Sequence, residues 1–395
     1  MTTLSATDAR REFFDLVKRA TKGHRVYRIR HRKGSAVLFK SPADPILSCA
    51  QAAAMGRETM SNTSLDTQEA KPAKSSPLSV IFKAKELGIF AALVILTVFF
   101  SVSTPVFLTL DNIMNVVRQV SILGILAVGM TMVIVSGEID LSVGSLYGVS
   151  VVTMSILMTH GVPIWASILA ALAVGTTAGI VNGLLVTMLR VPALIVTLGM
   201  LNMARGTAMI INGGMVVPLI PRLIKDPALD TFIFIGRGKL FDTVPTMTIG
   251  FVIVLVLGFI IYQKNIIGYR MRAVGGNAEA ARVSGINVKL VKIVAFTILG
   301  FLAAFGGTIN SAFLGNVQST AGQGLELDVI AATILGGASL SGGEGTIVGT
   351  LIGVLLLGIL RNGLVLLGVS PFVQMVLIGA VLIGAVALDM WSRRK

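Results

Sequence analysis

The sequence is poor in charged residues, cysteine and histidine. Only 13% of its 395 residues are Asp, Glu, Lys or Arg, whereas about a quarter of an ordinary soluble domain is charged. The one cysteine, Cys49, permits no internal disulfide and no cysteine-based metal cluster. Of the histidines, only His160 lies in a hydrophobic stretch, which excludes a His-rich metal site there. With 54% hydrophobic residues, this composition excludes a soluble enzyme, a secreted disulfide scaffold and a disordered chain.

The sequence also lacks a phosphate-binding loop. No Gly-x-x-x-x-Gly-Lys-Ser/Thr motif occurs, and Gly238-Lys239 is followed by Leu240. In such a loop the backbone amides cradle the phosphates of a nucleotide. We therefore predict no cofactor and no metal in this chain, and an energy source that lies in a partner or in an ion gradient.

Long uncharged runs dominate the chain after residue 86. A helix needs about 20 apolar residues to cross the hydrocarbon of a bilayer, so the runs predict an all-α polytopic membrane protein. The break at 159–163 divides the longest run, and residues 213–242 are expected to form an extramembrane loop. We predict ten transmembrane helices: 87–107, 119–137, two within 141–189, 191–212, 243–263, 293–312, 329–336 with its flanks, 345–360 and 371–388.

The positive charges predict the orientation of these spans. Loop 264–292 holds six Lys and Arg residues against Glu279 alone, four lysines precede the first span, and the chain ends Ser392-Arg-Arg-Lys395. Lys and Arg accumulate on the cytoplasmic side of membrane proteins, and ten spans place all three segments on one side. We therefore expect both termini in the cytoplasm.

The first 85 residues differ in character from the rest. Residues 1–45 predict a small basic α/β extension, with a helix near 6–21 and a hairpin whose strands lie at 25–30 and 36–39. Residues 46–85 are polar and predict a linker. Half of the net charge of +14 lies in residues 1–44, where 11 Lys and Arg face 4 Asp and Glu, giving +7.

The segment LSATDAR at 4–10, together with this helix–hairpin pattern, resembles the DNA-binding start of the Phd/YefM antitoxin family. The alternative interpretation is a charged tail. Because Met60 is a plausible natural start, we hypothesise that residues 1–59 are a fusion or an upstream extension of the reading frame. Nucleic acid is not the partner we expect for the whole chain.

Loop 269–287 contains the pattern of a short exposed helix. Asn277 is placed to cap a helix at Ala278–Val283, Glu279 falls in its first turn, and Gly285 is placed to end it. This Ala-rich helix either docks into the groove of a partner protein or belongs to an ordinary connecting loop.

Three stretches are similar to one protein family. GGNAEAARVSGI at 275–286 resembles the coupling-helix loop of bacterial ABC-transporter permeases of the ribose/xylose/arabinose type. GMTMVIVSGEIDLSVG at 129–144 and LELDVIAATILGGASLSGG at 325–343 resemble other stretches of the same family. The resemblance covers roughly 86–391, which we take as the transmembrane permease domain, and residues 1–59 depart from it.

The resemblance implies a monosaccharide importer in the bacterial inner (cytoplasmic) membrane. It implies ten helices per subunit, a homodimer in the lipid bilayer, ATPase subunits that bind ATP and Mg, and a periplasmic sugar-binding protein. No residue of this chain would then be catalytic. The residues expected to couple to the ATPase are Gly276, Asn277, Glu279, Ala280, Ala281, Arg282, Ser284, Gly285 and Ile286.

The other two stretches supply candidates for structural or gating roles. These are Gly137, Glu138, Asp140, Leu141, Ser142, Gly144, Glu326, Asp328, Gly336 and Gly337. Asp140 and Ser142 are placed either to cap the third span or to act in gating. A weak internal echo aligns Gly137, Leu141, Ser142 and Gly144 with Gly336, Leu340, Ser341 and Gly343.

The remaining polar residues of the spans leave two roles open. Glu326 and Asp328 are expected at the outer start of the eighth span, as helix caps or as a surface for the binding protein. Arg205 either reaches outward or pairs with an acid. Four amide side chains are expected to hydrogen-bond either a sugar in transit or a neighbouring helix, namely Asn182, Asn202, Asn310 and Gln374.

Three other functions compete with a monosaccharide importer. One is an ABC permease for another small polar ligand, such as autoinducer-2 or a nucleoside. A second is an ion-driven transporter, which would favour acids buried at the middle of the bilayer, whereas the acids here cluster near span ends. A DNA-binding regulator rests on residues 1–45 alone.

Overall fold

The computed structural model of the chain describes residues 2–5, 27–30, 36–39 and 84–393. The chain divides into two compact units, Met1–Lys74 and Ser75–Lys395. In the first unit, β1 (Thr2–Ser5) pairs in parallel with β2 (Tyr27–Arg30), which pairs antiparallel with β3 (Ala36–Phe39). The predicted hairpin is thus confirmed, and β1 adds to it. The predicted helix at 6–21 and the linker up to residue 83 lie outside the described residues.

Helices build the second unit, and most of them follow the apolar runs of the sequence. They are α1 (Ala84–Ser103), α2 (Leu110–Val135), α3 (Val143–Thr159), α4 (Ile164–Met188), α5 (Ala193–Asn212), α6 (Leu229–Arg237), α7 (Met247–Phe259), α8 (Ile266–Gly276), α9 (Ala278–Val283), α10 (Val288–Leu314), α11 (Leu325–Leu335), α12 (Ile347–Leu366) and α13 (Pro371–Arg393). A π-helical turn, Ile260–Lys264, continues α7.

Each predicted span coincides with a helix, and the break at 159–163 is confirmed. Six helices of the described part are long and apolar enough to cross a bilayer, namely α2, α4, α5, α7 with its π turn, α10 and α12. Shorter apolar helices lie at Gly88–Ser103, Val143–Thr159 and Pro371–Val381. The eighth predicted span is different, because α11 has 11 residues and rises only about 16 Å. It reaches about halfway across a bilayer.

A glycine stripe on α4 lets it pack closely on α10. A Cβ built on Gly175 would lie 2.5 Å from the carbonyl oxygen of Gly300, and one on Gly179 would lie 2.4 Å from that of Phe296. Further along α4, Gly183 faces Ile293, so the two helices run antiparallel. Small residues at this spacing bring helix backbones together where no hydrophobic force drives association.

Helices α2 and α12 also run antiparallel, and polar contacts join them near both ends. At one end the side-chain amides of Asn112 and Asn362 donate to each other over 2.9 and 2.8 Å. At the other end the hydroxyls of Thr131 and Thr350 lie 2.6 Å apart. All four residues are buried, so the contacts fix the relative height of the two helices.

The predicted loop at 213–242 is a folded segment. It contains α6, whose Phe232 is 1% exposed. The segment also contains β4 (Val217–Pro218), which pairs with β7 (Asn316–Val317), and β5 (Lys239–Leu240), which pairs with β6 (Val244–Pro245). The Arg237 side chain donates to the carbonyl oxygens of Phe313 and Leu314. These contacts tie the segment to the end of α10.

Candidate functional site

The short helix predicted at 278–283 is confirmed as α9. The Asn277 side-chain oxygen accepts a hydrogen bond from the Ala280 amide at 2.9 Å, as an N-cap residue does. At the other end Gly285 has φ +83°, its amide donates to the Arg282 carbonyl, and the Ile286 amide donates to the Ala281 carbonyl. This pair of bonds is the Schellman motif, which needs a residue in the left-handed region.

Most of α9 faces outward. Ala281 is 5% exposed and anchors the helix, whereas Val283 is 81% exposed. Glu279 and Arg282 form an exposed ion pair of 2.6 Å along the same side. An exposed pair of this kind adds little stability. Of the residues predicted to contact a partner, all but Ala281 and Ile286 are exposed.

The end of α8, directly before α9, packs on two other segments through bare backbone. A Cβ on Gly275 would lie 1.8 Å from the Val135 carbonyl oxygen, at the end of α2, and 2.6 Å from the Gly343 amide. The Gly343 amide itself donates to Val135 at 2.9 Å. A Cβ on Gly342 would lie 2.9 Å from the Cα of Gly137. We call this meeting point of Gly137, Gly275, Gly342 and Gly343 the glycine junction.

The glycine junction brings the three similar stretches of the sequence together, because each contributes at least one glycine to it. Gly276 also takes part, since its Cα lies 2.8 Å from a Cβ built on Gly343. Sequence reasoning singled out Gly137 and Gly276 but not the contacts that each makes with the other glycines of the junction. The sequence around a glycine in a loop does not show which distant backbone segment packs against it.

The C-terminal ends of α2 and α11 have caps of the same kind. This match changes the alignment between the two similar stretches of the sequence. In both, the residue after the cap is a glycine with φ +87°, Gly137 after α2 and Gly337 after α11. Their amides donate to Ile134 and Ile334 in the same pattern. The sequence echo paired Gly137 with Gly336, but Gly336 has φ −70°. The structural match is therefore shifted by one residue, because the left-handed position and not residue identity defines the cap.

Asp140, Ser142 and Asn182 form a buried network between α3 and α4. Asp140 Oδ1 accepts from the amide and the hydroxyl of Ser142 at 2.7 and 2.6 Å. The Asn182 side chain donates to Ser142 Oγ at 2.9 Å and to Asp140 Oδ2 at 3.3 Å. All three residues are 0% exposed. Their burial favours a structural role for Asn182, as a bond between helices, over contact with a solute.

The cap predicted for α3 is wrong in its details. Ser142 holds the N-cap position, but its side chain makes no capping bond to the first turn. Its hydroxyl instead donates to Asp140, which lies two residues earlier. Asp140 thus shapes the turn that precedes α3 and does not bond the amides of the helix itself.

Glu138 and Lys292 form an ion pair between the loop after α2 and the first turns of α10. Both side chains are largely buried, with 17% and 19% of their surface exposed. The sequence predicted an anchoring or a gating role for Glu138, and the pair supplies an anchor. Lys292 was counted only among the charges of the loop, since no spacing rule relates it to a residue 154 positions away.

Glu326 and Asp328 lie in the first turn of α11, so their predicted place at the start of this helix is confirmed, and its outer position stays a prediction. Gly336 at the end of α11 packs against Gly349 near the start of α12. Eight residues earlier, Asp328 therefore lies about 12 Å further along α12, near its middle. Asp328 Oδ1 accepts from Arg361 at 2.7 Å, and Glu326 Oε1 accepts from the Gly324 amide. Neither caps the first turn of α11.

The polar residues proposed for a substrate path do not gather around one space. Asn202 bonds the carbonyl of Leu198 in its own helix. The Asn310 amide donates to the Tyr147 hydroxyl at 2.6 Å, and Gln374 bonds the Val369 carbonyl. Together with Asn182, each of these four has a partner within the protein. Arg205, for which an acid partner was one expectation, donates instead to the carbonyls of Ser319 and Ala321.

Arg361 is the functional candidate that sequence reasoning missed. The ninth span was predicted to end at 360, but α12 continues to Leu366. A full span of about 20 residues counted from its start would have included Arg361 and flagged a charge within the membrane. No group of three or more His, Cys, Asp or Glu side chains in the described part is arranged to hold a metal ion.

Comparison with known proteins places the chain in a family. Residues 112–386 match the family described as branched-chain amino acid transport system / permease component. A ribose import permease protein of Escherichia coli K12 is 41% identical over 298 residues, covering 75% of this chain and 91% of the relative. The ribose import permease protein of Bacillus subtilis 168 is 42% identical over 305 residues, covering 77% and 92%.

A xylose transport system permease protein of Haemophilus influenzae is 34% identical, over 80% of this chain and 100% of the relative. No solved structure matches the chain. The matched region contains the glycine junction, α9 and the buried networks described above. The chain therefore belongs to the permease-component family of branched-chain amino acid transport systems.

Proposed function

We propose that this chain is the membrane-spanning permease subunit of an ATP-driven ABC importer for a monosaccharide. The relatives at 41% and 42% identity carry ribose import in their names, and one at 34% carries xylose transport. These names favour a sugar over the amino acids of the family description. A periplasmic binding protein delivers the sugar, and a second copy of the chain completes the transmembrane unit.

The observation that carries the coupling role is the position of α9. It is exposed, capped at both ends, and continuous with α8, whose last residues lie in the glycine junction. A displacement of α9 acts directly on the end of α2 and on the loop before α12, because no side chain separates these backbones. The Glu138–Lys292 pair joins the start of α10 to the loop after α2.

The energy source in this proposal is a partner ATPase that binds ATP and Mg. The chain has no phosphate-binding loop of its own, and the exposed face of α9 supplies a docking surface for that partner. The Lys and Arg excess around α9 supports a cytoplasmic position for this face, and the proposal has both termini on the same side of the inner membrane.

The first experiment measures sugar uptake in vesicles that contain the permease, its ATPase and the binding protein. We expect uptake that requires ATP and survives collapse of ion gradients. Uptake that continues without ATP and stops when the ion gradient is removed would reject the ABC mechanism in favour of an ion-driven transporter.

The second experiment tests α9. Glu279→Lys reverses a charge on its exposed face, and Gly285→Pro removes the amide that bonds Arg282 and forbids φ +83°. Both variants are expected to hydrolyse ATP without importing sugar while the subunit still folds. Lys239→Glu, an equal charge reversal on the exposed β5 strand, is the control and should import normally. Normal import by both α9 variants would reject the coupling role.

A further inference from the structure

Four charged residues from three helices meet within the membrane-spanning unit, in the C-terminal halves of α5 and α12 and at the start of α11. Asp328 of α11 pairs with Arg361 of α12 at 2.7 Å. Glu326 lies two residues earlier on α11. It and Arg205 of α5 both reach α3, where Cβ atoms built on Gly144 and Gly148, one turn apart, would contact Glu326 Oε2 and Arg205 Nη1. We call Arg205, Glu326, Asp328 and Arg361 the four-charge cluster. Helix capping does not account for it, because neither acid caps the first turn of α11.

The four-charge cluster surrounds the place where regular structure stops. Residues 319–324 form turns directly before α11. Arg205 Nη1 donates to the carbonyl oxygens of Ala321 at 2.9 Å and Ser319 at 3.4 Å. Glu326 Oε1 accepts from the Gly324 amide at 3.2 Å. Irregular backbone at membrane depth is tolerated only inside protein or along a water-filled cavity.

Within the described residues, one buried polar atom of the four-charge cluster has no hydrogen-bond partner. There, Glu326 Oε2 is buried and accepts no hydrogen bond. It faces the first turn of α3, since a Cβ on Gly144 would lie 2.3 Å from this oxygen. The Arg361 side chain is 40% exposed although its partner Asp328 is 10% exposed. The Arg361 side chain therefore reaches from the protein surface to a largely buried carboxylate.

A charge exposed at this depth requires water or another polar group. Contact of Arg361 with lipid tails would cost several kcal/mol by the more moderate scales. Ionisable residues inside membrane segments accordingly face the interior of a bundle or an aqueous path. The cluster contains two guanidinium groups and two carboxylates, so its net charge is zero. It therefore attracts neither cations nor anions but offers both donors and acceptors.

We propose that the four-charge cluster lines the aqueous transport path and hydrogen-bonds a neutral, hydroxyl-rich solute as the solute passes. Guanidinium groups donate to sugar oxygens, and carboxylates accept from sugar hydroxyls. This inference rests on the proposed function, because it assigns a contact site to the solute that the permease moves. The path then runs between α5, α11 and α12, beside the first turn of α3.

The test uses the complete importer in liposomes, with permease, ATPase, binding protein and ribose as the probe. Glu326→Gln and Asp328→Asn are expected to lower the transport rate at saturating binding protein by about tenfold each, as the loss of one hydrogen bond to a charged group does. The binding-protein concentration that half-stimulates ATP hydrolysis should stay unchanged. Asp230→Asn, which removes the charge of an exposed acid in the first turn of α6, is the matched control for a charge change.

A second measurement separates a path from a buried structural contact. In a Cys49→Ser background, Glu326→Cys should react with a water-soluble thiol reagent supplied on both sides of the membrane, and ribose should slow the reaction. Lys239→Cys in the exposed β5 strand is the positive control. Ile210→Cys, 83% exposed on α5, is the lipid-facing negative control.

The outcomes separate this inference from the proposed function. A Glu326→Cys side chain that stays unreactive in an active importer overturns the path, and assigns the cluster to a subunit interface. Transport at the normal rate by Glu326→Gln and Asp328→Asn overturns solute contact while leaving the importer intact. If wild-type vesicles show no ATP-dependent uptake at all, the proposed function itself fails.

Discussion

At the scale of single residues, Gly275 and Gly276 provide a matched pair. A Cβ on Gly275 would collide with the backbone of Val135 and Gly343, whereas no described atom lies within 4 Å of a Cβ on Gly276. We expect Gly275→Ala to lower the free energy of unfolding by about 3 kcal/mol, as forced overpacking does. Gly276→Ala should change it by less than about 0.5 kcal/mol. Thermal unfolding in detergent measures both.

Equal melting temperatures for the two glycine variants would contradict the glycine junction. A drop for Gly275→Ala accompanied by loss of coupling, with ATP hydrolysis retained, would further connect the junction to transport. Gly276→Ala serves as the control for the general effect of a methyl group at the end of α8.

Asp226 makes stability depend on pH. It lies between α5 and α6, and its carboxylate accepts from the amides of Ile164 and Ala228, both at 2.8 Å. These backbone hydrogen bonds hold the pKa of Asp226 below its ordinary value. The stabilisation is therefore complete above the unfolded pKa of about 3.9 and is lost as the pH falls through the lower folded value.

We therefore expect Asp226→Asn to flatten the acid limb of the stability curve. The melting temperature of the wild type should fall more steeply than that of the variant as the pH is lowered below about 4. Asp230→Asn, an exposed acid in the first turn of α6, should keep the slope of the wild type. Parallel curves for the wild type and Asp226→Asn would show that this carboxylate does not tie α4 to the segment before α6.

At the scale of helices, the Asn112–Asn362 pair predicts a measurable coupling between α2 and α12. Each amide both donates and accepts, so removing one partner leaves the other unsatisfied in a buried place. In a double-mutant cycle with Asn112→Ala and Asn362→Ala, we expect a coupling energy of about 1 kcal/mol, within the range for polar contacts in membrane proteins. Additive effects of the two changes on unfolding would contradict the pairing.

The sequence was sufficient for most helices but not for their contacts. Uncharged runs and breaks such as 159–163 predicted where α3 and α4 lie, and turn chemistry at Asn277 and Gly285 predicted α9. Hydropathy measures only how apolar a run is, so it gave α11 a full span although the helix begins only at Leu325 and has 11 residues. Pairs such as Glu138 with Lys292 and Asp328 with Arg361 depend on packing between distant segments, which local patterns do not encode.

At the scale of the whole molecule, orientation is the property that decides the direction of transport. In a Cys49→Ser background, Glu279→Cys is expected to react with a membrane-impermeant thiol reagent in inverted vesicles and to stay protected in intact cells. Lys239→Cys should show the opposite pattern, because α7 with its π turn is the one long apolar helix between the β5 strand and α9. Labelling of Glu279→Cys from outside intact cells would invert the orientation and remove the ATPase-docking surface.

The two polar contacts between α2 and α12 have a consequence for how the protein moves. With an amide pair at one end and a hydroxyl pair at the other, neither helix slides or tilts against its neighbour without breaking a buried bond. The two helices are therefore expected to move together as one rigid pair. A switch between inward-open and outward-open shapes is therefore expected to change other helix interfaces. The pair of α2 and α12 is the fixed reference against which that movement is to be measured.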